Sequence, residues 1–123
     1  MNKTQGAAAP FALLVGVFLI IEGLWGMVSP VVFGVLTTNR LHASIHIVLG
    51  LLGLYTARTH GARMWCTLTG ILIIVVGVLR FVPGLGDIII TLLNVNEAVA
   101  VFNIVVGAAA LLVARTSPAQ NPA

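Results

Sequence analysis

Glu22, His42 and His46 are the residues whose type and spacing could do chemistry, because each interrupts an otherwise apolar run. His42 and His46 stand at i and i+4 and therefore share one face of a helix. Asn39, His42, His46, Gly50 and Gly53 form a single stripe at spacings of three and four. Glu22 lies about six residues, roughly 9 Å of helix, from the outer end of the first helix, and His46 lies at a similar depth in the second. Arg80 comes about one turn nearer the outer end, on the third helix, and an internal repeat places Asn103 at the depth of His46. Glu22, His46, Arg80 and Asn103 are therefore expected to form a buried polar cluster, with Arg80 or His46 as the partner of Glu22.

Three chemistries fit such a cluster. A polar plug would satisfy its own members and fix helix register, since a charge left unpaired in lipid is costly. A haem, a pigment or a divalent metal could be held through His46 with His42 or Glu22. A proton or substrate path could centre on Glu22. The plug is the reading adopted here. Val99 and Asn103 stand where a second copy would need the two histidines, so symmetric ligation is not expected, and neither a metal site nor a cofactor is assigned. His60 falls in a connection and is expected to be solvated.

The elements that must position these residues follow from composition. Of 123 residues, 59% are hydrophobic and 7% charged, against roughly 25% charged in a soluble domain. Nine charges could not cover the surface of a soluble domain of this size, which excludes a soluble enzyme and a disordered chain. The arginines are scattered singly, so there is no nucleic-acid-binding patch. One cysteine, Cys66, excludes an internal disulfide. Apolar runs long enough for a bilayer core, which takes roughly 20 helical residues, predict an all-α membrane protein. It is a single domain over residues 1–123 with four transmembrane helices, at about 10–28, 40–57, 64–81 and 97–114. The outer connections, 29–38 and 83–95, are apolar for loops, and the second reads as a turn followed by a short interfacial helix. Lys3, Arg58, Arg63 and Arg115 lie on one side, against Arg40 and Arg80 on the other, so both termini are expected in the cytoplasm. Trp25 and Trp65 read as interfacial anchors.

Residues 39–59 align with 96–116 without gaps, and nine of 21 positions are identical, where composition alone gives roughly three. Helix 1 matches helix 3 at Leu14/Leu68, Gly16/Gly70, Ile20/Ile74, Gly23/Gly77 and Val28/Val82. Two tandem hairpins, about 10–59 and 64–116, are therefore expected as a parallel repeat. Gly16, Gly23, Gly50, Gly53, Gly70, Gly77 and Gly107 are expected at helix contacts, where small residues let backbones approach. Asn39 and Asn96 each precede a helix and predict N-caps.

The segment Asn39-Arg40-Leu41-His42-Ala43-Ser44-Ile45-His46-Ile47-Val48-Leu49-Gly50 resembles a family of small bacterial membrane proteins that form a domain of unknown function. Its Asn-x-x-His-x-x-x-His-x-x-x-Gly pattern opens helix 2, and a similar His-x-x-x-Gly pattern opens helix 4. Here Asn103 replaces that second histidine, while Gly107 is kept. The resemblance covers roughly residues 10–115. It implies a four-helix fold in a bacterial inner membrane and implies no activity. The function expected is that of a structural or accessory subunit rather than an enzyme. Its partners would be the lipid bilayer and either copies of itself or a larger membrane-protein complex.

Overall fold

A computed structural model describes residues 5–118. The order is α1 (Ala8–Gly26), β1 (Val31–Val32), β2 (Leu36–Thr37), α2 (Arg40–Arg58), α3 (Ala62–Arg80), α4 (Leu85–Leu93) and α5 (Glu97–Thr116). Pro10 falls in the first turn of α1, where a missing N–H costs nothing, and Ser29-Pro30 follows its end. Asn39 caps α2 by accepting from the His42 amide at 2.9 Å, and Asn96 caps α5 from the Val99 amide at the same distance. Gly61, at φ +90°, makes the tight turn from α2 into α3. Asn94 ends α4 in the left-handed region that asparagine tolerates.

The expectation of four transmembrane helices is corrected. The described residues hold five helices, and three of them, α1, α3 and α5, are long and apolar enough to cross a membrane. α2 is as long as α1, but Arg40, His42, Ser44, His46 and Arg58 lower its hydropathy. α4 has nine residues, about 14 Å of rise, too short for a span. The outer connections account for the rest of the difference. The stretch after α1 is an antiparallel ribbon, with Val31 opposite Thr37 and Val32 opposite Leu36. The stretch after α3 is α4, a short helix after a turn as the sequence led us to expect. Lys3 lies outside the described residues.

α1 runs along α2, and α3 along α5, and these are the closest element pairs. Their interiors are built from small side chains, with Ala8, Ala12, Ala57, Ala62, Ala100 and Ala110 all buried. Glycine sets the approach. A Cβ on Gly50 would come within 2.5 Å of the Gly16 carbonyl oxygen, and one on Gly16 within 2.8 Å of the Gly50 oxygen. In the other pair, a Cβ on Gly70 would meet the Gly107 oxygen at 2.9 Å, and one on Gly77 the Ala100 oxygen at 2.6 Å. A Cβ on Gly23 would press on Ile47 and the Ala43 carbonyl.

The ends of the helices are tied by polar groups. At one end, Gln5 donates from Nε2 to the carbonyls of Thr56 (2.8 Å) and Ala57 (3.2 Å) and accepts from the Ala62 amide at 2.8 Å, so one side chain serves the end of α2 and the start of α3. The Ala8 amide donates to Ser117 Oγ at 3.0 Å there, and Arg63 Nε to the Ala114 carbonyl at 2.8 Å. At the other end the cap asparagines reach across to the opposite connection. Asn39 Nδ2 donates to the Leu92 carbonyl at 2.7 Å, and Asn96 Nδ2 to the Val35 carbonyl at 2.9 Å. Thr37 Oγ1 donates to the Asn94 carbonyl at 2.6 Å, and Asn94 Nδ2 to the Thr38 carbonyl at 2.7 Å.

Alanine at Gly50 or Gly107 should destabilise the protein by about 1–3 kcal/mol, because the added methyl must push two backbones apart. Val48→Ala, on the outward face of α2, should stay within about 0.5 kcal/mol. Thermal unfolding in detergent compares the three variants. Equal midpoints would show that the glycine contacts do not set the packing.

Candidate functional site

α1 and α2 bring Glu22 and His46 together. Both are buried, at 4% and 5% exposure, and His46 Nδ1 lies 2.6 Å from Glu22 Oε1. The ring N–H is not aligned along that line, so the contact is a close polar pair and not a well-formed hydrogen bond. Glu22 Oε2 is buried with no hydrogen-bond partner among the described residues. The pair exists because Gly23 follows Glu22 and Gly50 sits one turn beyond His46. Both let α1 and α2 close to backbone contact beside it.

His42 extends the pair. Its ring meets that of His46 edge to face at 4.2 Å between centroids. His42 Nδ1 lies 3.0 Å from the Leu93 carbonyl. A carbonyl only accepts, so Nδ1 is the protonated nitrogen and, in the neutral ring, Nε2 is left as the acceptor. The i, i+4 spacing put both histidines on one face, but the carbonyl that orients His42 belongs to α4. No side-chain pattern marks a backbone acceptor more than fifty residues away, and sequence reasoning missed it.

The other two members of the expected cluster form no hydrogen bond with the pair among the described residues. Arg80 does not pair with Glu22. Its Nε donates to the Val95 carbonyl at 2.7 Å, and its guanidinium carbon lies 6.0 Å from the Phe81 ring centre. It therefore ties the end of α3 to the start of α5. A carbonyl near its own end of the helix is within reach without carrying the guanidinium a turn deeper. Asn103 is buried on α5, where its Cβ faces Gly77 of α3, and no hydrogen bond joins it to Glu22 or His46 among the described residues. Trp65, expected as an interfacial anchor, is 6% exposed, and its indole Nε1 donates to the Leu49 carbonyl at 3.0 Å. Trp25 stays partly exposed, edge-on to Phe33 at 5.0 Å.

The ribbon tip is a further feature that the loop reading did not contain. Phe33 takes φ +54°, uncommon for a bulky residue, and stacks on Phe18 at 5.6 Å between ring centres. Phe18 also meets Phe102 of α5 at 5.4 Å. Phe18 is one turn before Glu22 on α1, so the aromatic contacts lie close to the polar pair along the helix.

Chemically, the arrangement sets a carboxyl oxygen and an imidazole nitrogen, two groups able to carry a proton, 2.6 Å apart in the interior. Among the described residues, no three His, Cys, Asp or Glu side chains converge as metal ligands.

Glu22→Leu should cost about 1–3 kcal/mol, because it leaves the buried His46 ring beside hydrocarbon. Glu22→Gln should cost less, since the amide still offers a polar neighbour. Glu22→Leu combined with His46→Leu should recover part of the loss, because removing both partners leaves no orphaned group. Thermal unfolding of the three variants measures this. Strictly additive losses would show that the two side chains are not coupled.

The family model for a domain of unknown function (DUF4383) matches residues 9–116. No curated protein and no solved structure matches the chain. The match spans most of the chain, so the protein belongs to the DUF4383 family.

Proposed function

We propose that this DUF4383 protein is a small integral membrane protein of a bacterial inner membrane. In this reading it acts as a structural or accessory subunit that packs with copies of itself or with a larger membrane complex, and it is not an enzyme. The observation that carries the reading is the reversal of the soluble pattern. Alanine and glycine fill the interior, while Leu14, Val28, Met64, Val105 and Leu112 are more than half exposed all around the outside. Soluble monomers rarely expose contiguous apolar patches beyond a few hundred Å². In lipid, small residues at helix contacts and large apolar ones facing outward are the expected arrangement. α2 carries the chain back along α1 inside the bundle although it is less apolar than the other three long helices, so the start of α1 and the end of α5 share one end of the molecule with Arg58, Arg63 and Arg115, which supports a cytoplasmic location for both. The Glu22–His46 pair serves, in this reading, to lock α1 against α2 in one register.

The unpartnered Glu22 Oε2 favours a second reading, in which the pair accepts and releases a proton within the bundle. A cofactor held through His46 has less support, because His46 Nδ1 already faces Glu22 and His42 lies against its ring.

Reporter fusions after Ala123 should be active in the cytoplasm, and fusions within residues 83–94 active in the periplasm. A periplasmic carboxyl terminus would overturn the orientation. The purified protein should be colourless and free of metal. A visible absorption band that disappears in His46→Asn would instead establish a haem or pigment on that imidazole, since an amide does not replace the ligating nitrogen.

A further inference from the structure

A groove of about 830 Å³ runs between the second half of α2 and the first half of α3, within the roughly 300–1,000 Å³ typical of ligand sites. Its walls are apolar, formed by Leu49 and Leu52 of α2 and by Met64, Leu68 and Leu72 of α3. The Trp65 indole also lines it, held by its bond to the Leu49 carbonyl. The indole seats against Gly53, where a Cβ would come within 2.9 Å of the ring. The position expected to be an interfacial anchor is thus a fixed part of the groove.

The length and the charge of the groove identify its occupant. From Arg63 to Leu72 the helix rises about 14 Å, close to half of the roughly 30 Å hydrocarbon core. That is the depth of one leaflet. Arg63 and His60 line the same groove near its α2–α3 turn. Arg58 and Arg115 are exposed at the same end of the molecule. Among the described residues, no Asp or Glu side chain is there. Asp87 and Glu97 begin α4 and α5 at the opposite end, and Glu22 is buried against His46. Arg63 is held at the groove by the bond from its Nε to the Ala114 carbonyl, which leaves its terminal nitrogens to meet a phosphate.

We propose that this groove binds one acyl chain of an anionic phospholipid, with the lipid phosphate on the Arg63 guanidinium. The inference rests on the membrane reading above. A zwitterionic lipid would bring a second, cationic group to a mouth where the described residues offer it no Asp or Glu side chain.

Trp25→Phe leaves Trp65 as the sole tryptophan of the full chain, so its emission reports on the groove. That protein is reconstituted in phosphatidylcholine vesicles, with dibrominated phosphatidylglycerol or dibrominated phosphatidylcholine added at rising mole fraction. The anionic quencher should act at about fivefold lower mole fraction, the selectivity that one interfacial cation confers. Arg63→Gln should remove that preference, and Arg63→Lys should keep most of it. Equal quenching by the two lipids, or a preference that survives Arg63→Gln, would overturn the phosphate assignment. Quenching by neither would overturn the acyl chain. If Arg63→Gln does not fold, the comparison of the two lipids on the Trp25→Phe chain decides by itself. Flotation separates the two levels of the inference. A chain that does not float with the vesicles overturns the membrane reading and this site together, whereas one that floats without preference overturns the site alone.

Discussion

Backbone-to-backbone contact at glycine is the constraint on which the rest of this structure depends. Gly16 faces Gly50, and Gly70 faces Gly107, each at a distance that leaves no room for a methyl group. In the membrane setting proposed above, little water-driven burial would act between the helices, so close packing would have to supply the attraction. Alanine and glycine serve that purpose because they lose little or no side-chain entropy on burial and let long stretches of main chain touch. The same approach brings Glu22 and His46 within 2.6 Å. A wider spacing would leave two polar side chains facing each other across a gap.

Close packing of the helices leaves their ends to be satisfied separately. The protein does this with a few short polar side chains, each used more than once. Gln5 serves two helix ends, and Asn39 and Asn96 cap their own helices while reaching to the opposite connection. The ribbon and α4 are held together by this exchange, with Thr37 and Asn94 between them. Because α4 is docked there, the Leu93 carbonyl is available to orient His42. The polar line from Leu93 through His42 and His46 to Glu22 therefore depends on connections that carry no chemistry of their own.

The two ends of the molecule differ in character. The end that gathers the first and last helices carries exposed Arg58 and Arg115 and the mouth of an apolar groove, whereas the other carries Arg40, Asp87, Glu97 and the asparagine clasp. The buried pair lies in the half of the bundle nearer the clasp, away from the groove. The pair and the lining of the groove have no residue in common.

Much of this was legible from residue order. Glycine at positions matched between the two halves, apolar runs without charge, and asparagine just before two helices follow from periodicity and capping chemistry, which are local. The histidine pair on one face is equally local. Four things were decided only by tertiary structure. The count of spans failed because α2 is long but carries arginine and histidine. The ribbon at 29–38 formed because long-range contacts from Phe33 and the asparagine clasp hold it. Arg80 went to the Val95 carbonyl instead of Glu22, and Trp65 turned inward onto Gly53. Each outcome rests on a backbone carbonyl or a gap presented by a distant segment. Residue types along a chain encode helix faces and ends, but not which distant main-chain atom will be nearest when the helices close.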